Sequence, residues 1–166
     1  MSELCKRIGG EVIETFVEVG TGVVRGVKRC VVRVRSGVEA VEKLGDLGSD
    51  RLMEMLSSGV DQLVFELLSD GRIYEIAIGR EGGRLALEIS EEVSARGSFA
   101  PEGVGFKMLP NGVLRVESRD GVVRASARIE MGTLDLENLV NLLPLVLKST
   151  KPELDRVVNR VLIPLT

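Results

Sequence analysis

The chain contains neither histidine nor tryptophan, and it has only one tyrosine and four phenylalanines among its 166 residues. Without an imidazole, a Ser-His-Asp triad, a Cys-His pair and every zinc site that needs a histidine ligand are excluded. Glutamine occurs once, at Gln62, and few thermolabile residues are typical of a heat-adapted protein. Because no group of residues marks a reaction, we expect no catalytic residue, no metal and no cofactor, and a binding protein rather than an enzyme.

Cysteine is also scarce, since only Cys5 and Cys30 are present. They lack the CxxC spacing and cannot form a four-thiolate zinc site. They could pair with each other, but two isolated cysteines are more often small apolar residues or free thiols. The opening residues MSELCKRIGG hold no apolar signal core, and the most apolar stretch, 134–147, is too short and too interrupted to span a bilayer. We therefore expect a cytoplasmic protein without a membrane span.

Length and composition predict one globular domain. Apolar residues make up 44% of the chain and charged residues 28%, which suffices for a full core. The net charge of −3 does not suggest a nucleic-acid binder, which tends to be basic. We expect a single domain over residues 1–166, in which an additional N-terminal strand segment, 1–28, precedes a core of residues 29–163.

The first half of the chain shows strand and helix signals in turn. Alternation of apolar and polar residues predicts strands over residues 11–19 and 29–35, separated by the break Gly20-Thr21-Gly22. Ser36 and Ser49 are placed to cap two short helices that end near Gly48 and Gly59.

The middle of the chain is typical of hairpins. Four dipeptides of the kind that favours primed turns lie between alternating segments: Asp70-Gly71, Gly82-Gly83, Asn111-Gly112 and Asp120-Gly121. Residues 85–99 hold one parity apolar except for Glu91, which predicts one long, curved strand. We therefore predict a consecutive antiparallel meander over residues 61–131.

The C-terminal part turns helical. Pro144 should kink or break the helix, and Thr150 with Glu153 has capping-box spacing for a second segment with an apolar stripe. This stripe can cover the apolar face of the sheet. The predicted fold class is α+β, with an antiparallel meander of about six to eight strands wrapped on a C-terminal helix and two short helices after the early strands.

A family resemblance follows from this order of elements. Within residues 32–79 a strand is followed by SGVEAVEKLGDL, RLMEMLSSGV and the hairpin LVFELLSDGRIYEIAIG. With the later strands and the C-terminal helix, this order resembles the helix-grip proteins, which include the START, Bet v 1 and polyketide-cyclase-like families. The resemblance implies an apolar ligand cavity between the sheet and the C-terminal helix.

Five residues are candidates for the wall of that cavity, because they stand at parities assigned inward: Phe65, Tyr74, Phe99, Phe106 and Ala127. Our first hypothesis is therefore a non-enzymatic carrier or sensor of a small apolar molecule. The alternative is an interaction module with a filled core, which acts through strand edges or the C-terminal helix as a homodimer.

Three further patterns each allow a functional and a purely structural interpretation. Arginines on the polar parity, among them Arg29, Arg115, Arg124 and Arg128, would make the outer sheet face basic if their strands are neighbours. Such a face can bind phosphate, but a solvated, ion-paired face is the commoner case, and nucleic acid lacks aromatic partners here. Glu91 could act as a buried acid or base, although a bulge is the more common explanation. The glycines at 20, 22 and 26 indicate a turn rather than a dinucleotide site.

Overall fold

The computed structural model describes residues 2–81, 84–110, 112–132, 135 and 137–164. The fold is α+β, as predicted. The helices are α1 (Ser2–Arg7), α2 (Gly37–Leu47), α3 (Ser49–Ser58) and α4 (Leu139–Val161). The strands are β1 (Gly10–Gly20), β2 (Val23–Val34), β3 (Gln62–Ser69), β4 (Arg72–Glu81), β5 (Arg84–Ser94), β6 (Ser98–Phe99), β7 (Gly103–Leu109), β8 (Gly112–Arg119), β9 (Val122–Met131) and β10 (Ile163–Pro164).

Eight strands form one open sheet in the order β1-β2-β3-β4-β5-β9-β8-β7, and β6 pairs separately with β10. All pairs in the large sheet are antiparallel except β2 with β3, which are parallel. Helices α2 and α3 connect these two strands, because a parallel pair needs a long crossover and not a tight turn. The strands β1 and β7 form the two edges.

The predicted consecutive meander is wrong in one respect. Pairing within residues 61–131 is antiparallel, but β5 pairs with β9 and not with β7. The single strand predicted over 85–99 ends at Ser94, because Gly97 adopts a positive φ of 77° and turns the chain out of the sheet. The chain passes through β6 and re-enters at the far edge, so that β7, β8 and β9 fill the sheet back toward β5.

Two of the predicted turn dipeptides have the backbone that a primed turn requires. Asp70 and Gly71 have φ values of 53° and 75°, and Asp120 and Gly121 have 52° and 76°. Positive φ at both central residues matches the right-handed twist of the flanking strands. The Gly82-Gly83 dipeptide and Asn111 lie outside the described residues.

The two short helices lie where the sequence places them. The Ser36 hydroxyl accepts a hydrogen bond from the Glu39 backbone N–H at 3.2 Å and caps α2. The cap of α3 is Gly48, with φ 78°, and Ser49 is its first residue, so the predicted cap was one position late.

The predicted break of the C-terminal helix is wrong. Helix α4 runs continuously through Pro144 and Pro152, and Thr150 is a buried interior residue rather than a cap. A proline inside a helix removes one backbone hydrogen bond, at a cost of about 3 kcal/mol. Here the helix is held on protein on both sides of the prolines, because Leu143 before Pro144 and Leu154 after Pro152 are fully buried.

All four helices contribute to packing on one face of the sheet. One part of the core joins α1, α2, α3 and the start of α4 to the strands from β2 to β5. The other joins the second half of α4 to β5, β8 and β9, where Leu154 and Val158 meet Ala125 and Ala127. No helix of the described residues packs on the opposite face of the sheet.

A disulfide fixes the N-terminal helix to the sheet. Cys5 of α1 is bonded to Cys30 of β2, and both are fully buried, so the interpretation of Cys30 as a free core thiol is wrong. Gly10 leaves room for the bond, since a Cβ there would lie 2.8 Å from both sulfur atoms. Helix α1 itself was not predicted, because six residues are too few to show a helical period.

None of the helices in the described part of the chain is both long and apolar enough to cross a membrane.

Candidate functional site

A large concavity lies on the face of the sheet that carries no helix. Its volume is about 830 Å³, and we call it the sheet cleft. Thr15 and Val27 line one side, near the β1 edge, whereas Phe106 and Val113 line the other, near the β7 edge. Because residues from both edges of one sheet border the same space, the sheet curves toward this face.

The floor of the sheet cleft is made by cross-strand neighbours. Phe106 of β7 pairs with Arg115 of β8, and Arg115 pairs with Ser126 of β9. Ser126 pairs with Ser90 of β5, and Ser90 pairs with Glu75 of β4. Directly paired residues point to the same face, so these five side chains form one row across five strands.

Arginine dominates the charged lining. Six arginines and four carboxylates border the sheet cleft, which gives these residues a net charge of +2 in a chain whose total is −3. The charged residues are Arg25, Arg29, Arg80, Arg115, Arg124, Arg128, Asp61, Glu75, Glu88 and Glu117. This face is thus basic in net charge and concave. It is also ion-paired, as the commoner interpretation expected: Arg25 lies 3.8 Å from Asp61, and Arg115 lies 3.1 Å from Glu117.

The arginines near the centre are held in place by their neighbours. Nε of Arg29 donates to the side-chain oxygen of Gln62 at 3.1 Å, and its Nη2 lies 3.4 Å from Glu75. Nη2 of Arg124 lies 3.6 Å from the same carboxylate and 3.7 Å from Glu88. Glu75 is half-buried between these two guanidinium groups, so one carboxylate forms an ion pair with each of them.

Among the described residues, the partners of Arg124 do not engage all of its N–H donors. A guanidinium has five N–H donors, whereas Arg124 reaches its carboxylate partners and the Ser90 hydroxyl, at 3.4 Å, through Nη2 alone. A carboxylate that holds a guanidinium in one orientation reduces the entropy that the side chain loses when it binds a ligand. The sheet cleft therefore presents oriented cationic donors in a space large enough for a small molecule.

Three of the five predicted ligand residues lie on the helix-covered face. Phe65 and Ala127 are buried in the core, and Ala127 packs in the cluster that contains Leu154 and Val158. Tyr74 is buried beside α4, and its hydroxyl donates to Asp155 at 2.8 Å. The structure places these three residues under the helices, as parity predicted.

The inward placement of the other two is wrong. Phe99 is 54% exposed in β6, because the chain has left the large sheet at Gly97. Phe106 is 70% exposed and lines the sheet cleft on the opposite face. None of the described helices covers the edge strand β7. The side of β7 on which apolar residues recur therefore does not have to face the core.

A second, smaller concavity lies between the sheet and the end of α4. Its volume is about 250 Å³, and we call it the helix-end groove. Apolar side chains dominate its lining, including Val104, Val116 and Val161, and Arg160 stands at its border. The Ser118 hydroxyl is buried at this groove and has no hydrogen-bond partner among the described residues.

A buried charged cluster lies under α4 and includes Glu91, which points inward as its parity suggested. Arg72 donates to Oε1 of Glu91 at 2.9 Å and lies 3.5 Å from Asp155. Oε2 of Glu91 has no hydrogen-bond partner among the described residues, although Glu91 is fully buried. The Lys151 ammonium lies 4.8 Å from the centre of the Tyr74 ring, a cation–π distance.

The surroundings of this cluster shift the pKa values of Glu91 and Asp155 in opposite directions. Burial raises the pKa of Glu91 above its ordinary value. Burial alone would also raise the pKa of Asp155, but the interaction with Glu91, the Tyr74 hydroxyl and the charges of Arg72 and Lys151 together lower it. Burial and the hydrogen bond to Asp155 raise the pKa of Tyr74. The cluster thus ties the sheet to α4, and no concavity that we describe opens onto it.

Two other features carry no site. Gly20 and Gly22 belong to the β1–β2 hairpin, where Gly22 has a positive φ of 76°, and Gly26 lies within β2. Within the described ranges, no group of three cysteine, aspartate or glutamate side chains is placed to hold a metal ion.

Comparison with protein-family models, with curated proteins and with solved structures finds no match.

Proposed function

We propose that this chain is a non-enzymatic binding protein whose ligand is a small anionic molecule held in the sheet cleft. The observation that carries the proposal is the excess of oriented arginines in a concave space of about 830 Å³. Ligand pockets commonly measure roughly 300–1,000 Å³. A dianion would neutralise the net charge of +2 on the lining residues.

Titration with inorganic pyrophosphate tests this proposal. Arg124→Gln removes a central guanidinium, and a hydrogen bond to a charged group contributes about 1.5–3 kcal/mol, so affinity should fall roughly 10- to 150-fold. Arg119→Gln is the matched control, because Arg119 is exposed at the end of β8 and does not line the cleft. Equal affinities of the two variants, or no binding by the parent, would contradict the proposal.

A small apolar ligand on the helix side of the sheet is the second candidate function. The helix-end groove supports it, because it is largely apolar and includes the unpartnered Ser118 hydroxyl. Membership of the helix-grip proteins also stays a prediction. A mainly antiparallel sheet with the C-terminal helix packed on it is compatible with that family. An apolar fluorescent probe that the parent binds, and that Val116→Asp releases, would favour this candidate.

A further inference from the structure

We infer that the ligand of the sheet cleft joins a planar ring to a phosphate group, with the ring stacked on Phe106 and the phosphate bound by Arg115 and Arg124. This inference rests on the proposed function and adds the chemical class of the ligand. A nucleoside monophosphate has this chemistry.

The first support is the isolation of one aromatic ring at one end of the cleft. Phe106 is the only aromatic residue among the described lining residues, and 70% of it is exposed. Exposing a phenyl ring in a concave site forgoes the burial that normally stabilises such a side chain. A flat ring stacked on its face would remove that apolar surface from water.

The second support is the order of side chains along the floor. Phe106 is followed by Arg115, then by the hydroxyls of Ser126 and Ser90, across adjacent strands. Neighbouring strands are about 4.8 Å apart, so the ring and Ser126 are separated by roughly 10 Å along a flat sheet and by less across a curved one. In a nucleoside monophosphate the sugar lies between the ring and the phosphate, so a ring stacked on Phe106 places the phosphate further along this row, near Arg115 and Ser126.

The third support is the arrangement of charge around Ser126. Arg124 lies two residues before it on β9 and Arg128 two residues after it, so both share its face, and both line the cleft. Together with Arg115 on the neighbouring strand, they place three cations around the serine. Two carboxylates lie beside them on this face: Glu88, and Glu117, whose Oε2 lies 3.1 Å from Nη2 of Arg115. A phosphate bound at this point is within reach of guanidinium groups from two strands, and arginine binds phosphate in a bidentate manner.

A single-stranded nucleic acid would use the same chemistry, but the structure favours a small molecule. Sequence-tolerant strand binding relies on several aromatic platforms for successive bases. The described lining offers one, and the two edge strands border the cleft through Thr15 on one side and Phe106 on the other. The cleft therefore holds one ring and its phosphate better than a chain of nucleotides.

Calorimetric titration of the full chain with three probes separates the parts of this inference. AMP carries the ring and the phosphate, ribose 5-phosphate lacks the ring, and adenosine lacks the phosphate. Stacking on an aromatic side chain is worth roughly 5- to 150-fold in affinity per base. We expect AMP to bind more tightly than ribose 5-phosphate by a factor in this range, and adenosine to bind more weakly than AMP.

Two phenylalanine variants assign the ring contact. Phe106→Leu should reduce AMP affinity to that of ribose 5-phosphate and leave ribose 5-phosphate unchanged. Phe99→Leu is the matched control, because Phe99 is also exposed but lies outside the cleft, and it should change neither affinity. Arg115→Gln should weaken both phosphates by a similar factor. Far-ultraviolet circular dichroism of each variant confirms that it is folded.

Several results would overturn the inference. If AMP and ribose 5-phosphate bind equally, or if Phe106→Leu changes nothing, the ring contact is absent while anion binding in the cleft stands. If a short deoxyadenosine oligonucleotide binds far more tightly than AMP, the ligand is a nucleic acid. If AMP, ribose 5-phosphate and pyrophosphate all fail to bind, the proposed function itself is wrong.

Discussion

Arg124 on β9 and Glu75 on β4 are joined across the intervening strand β5, with Nη2 and Oε1 3.6 Å apart. Arg29 on β2 approaches the same carboxylate at 3.4 Å from the other side. Three strands, β3, β4 and β5, thus lie between the strands that carry the two guanidinium groups. This shared carboxylate links the two halves of the sheet cleft and orients its cations.

The packing of α4 on the sheet can be tested at one position. Val158 is fully buried against the sheet, so Val158→Asp places an uncompensated charge in the core, at a cost of about 3–5 kcal/mol. Leu145→Asp is the control, because Leu145 belongs to the same helix but is 67% exposed. Urea melts should show a large loss for the first variant and a small one for the second. Equal midpoints would mean that α4 does not pack as described.

A cavity between the sheet and α4 can be distinguished from a filled core. Ala127 is fully buried in the cluster with Leu154 and Val158, so Ala127→Leu should overpack it and cost about 1–3 kcal/mol. If the site held an apolar ligand cavity, the added side chain would fill it with little loss of stability and would weaken binding of an apolar probe. Urea melts and probe titration on this variant decide between the two arrangements.

The sequence predicted the secondary structure better than the strand order. Alternation and capping residues are local signals, and they located β1, α2 and α3 closely. The pairing of β5 with β9 depends on where the chain returns after Gly97, which no local pattern reports. A sheet built from hairpins leaves such a choice open, because either edge can accept the next hairpin.

The same limit applies to the site. The sequence predicted a basic face, and Arg115, Arg124 and Arg128 do share one. It could not predict the concavity, because curvature is a property of the whole sheet. It also assigned Phe106 to the core, because an apolar residue on a strand is normally inward. The signal that could have corrected this is that Val104, Phe106 and Met108 form an apolar side with no helix predicted to cover it.

The disulfide predicts a dependence on redox conditions. Cys5 and Cys30 are 25 positions apart, and closing a loop of this size stabilises a protein by about 3 kcal/mol in the chain-entropy account. Reductant should lower the urea midpoint of the parent accordingly. The variant with both Cys5→Ser and Cys30→Ser should be less stable and should not respond to reductant. The prediction is contradicted if thiol titration shows that the parent is fully reduced and its urea midpoint is nevertheless unchanged.

Glu91 predicts how stability changes with pH. Its raised pKa means that the folded protein holds the proton more tightly than the unfolded chain does. Its contribution is full below the ordinary glutamate pKa and is lost as pH rises through the raised native value. Glu91→Gln lacks this dependence, so the variant should gain stability relative to the parent as pH rises from about 4 toward neutrality.

The measurement for this prediction is a set of urea melts of both proteins at several pH values in that interval. The pKa of Asp155 is lowered in part by Glu91, so the difference between variant and parent reports on the two carboxyl groups together. A difference that stays constant with pH, or one that falls as pH rises, would show that burial does not raise the pKa of Glu91.

The central claim, that the sheet cleft binds anions, is tested most directly by mapping amide chemical shifts during titration of the ¹⁵N-labelled chain with pyrophosphate. The account predicts saturable shifts at the amides of Glu75, Ser90, Arg115 and Ser126, which lie on neighbouring strands of the cleft floor. Helix α4, on the other face, should show none. Shifts that centre on α4 or the helix-end groove, or that spread evenly over the surface without saturation, would contradict the account.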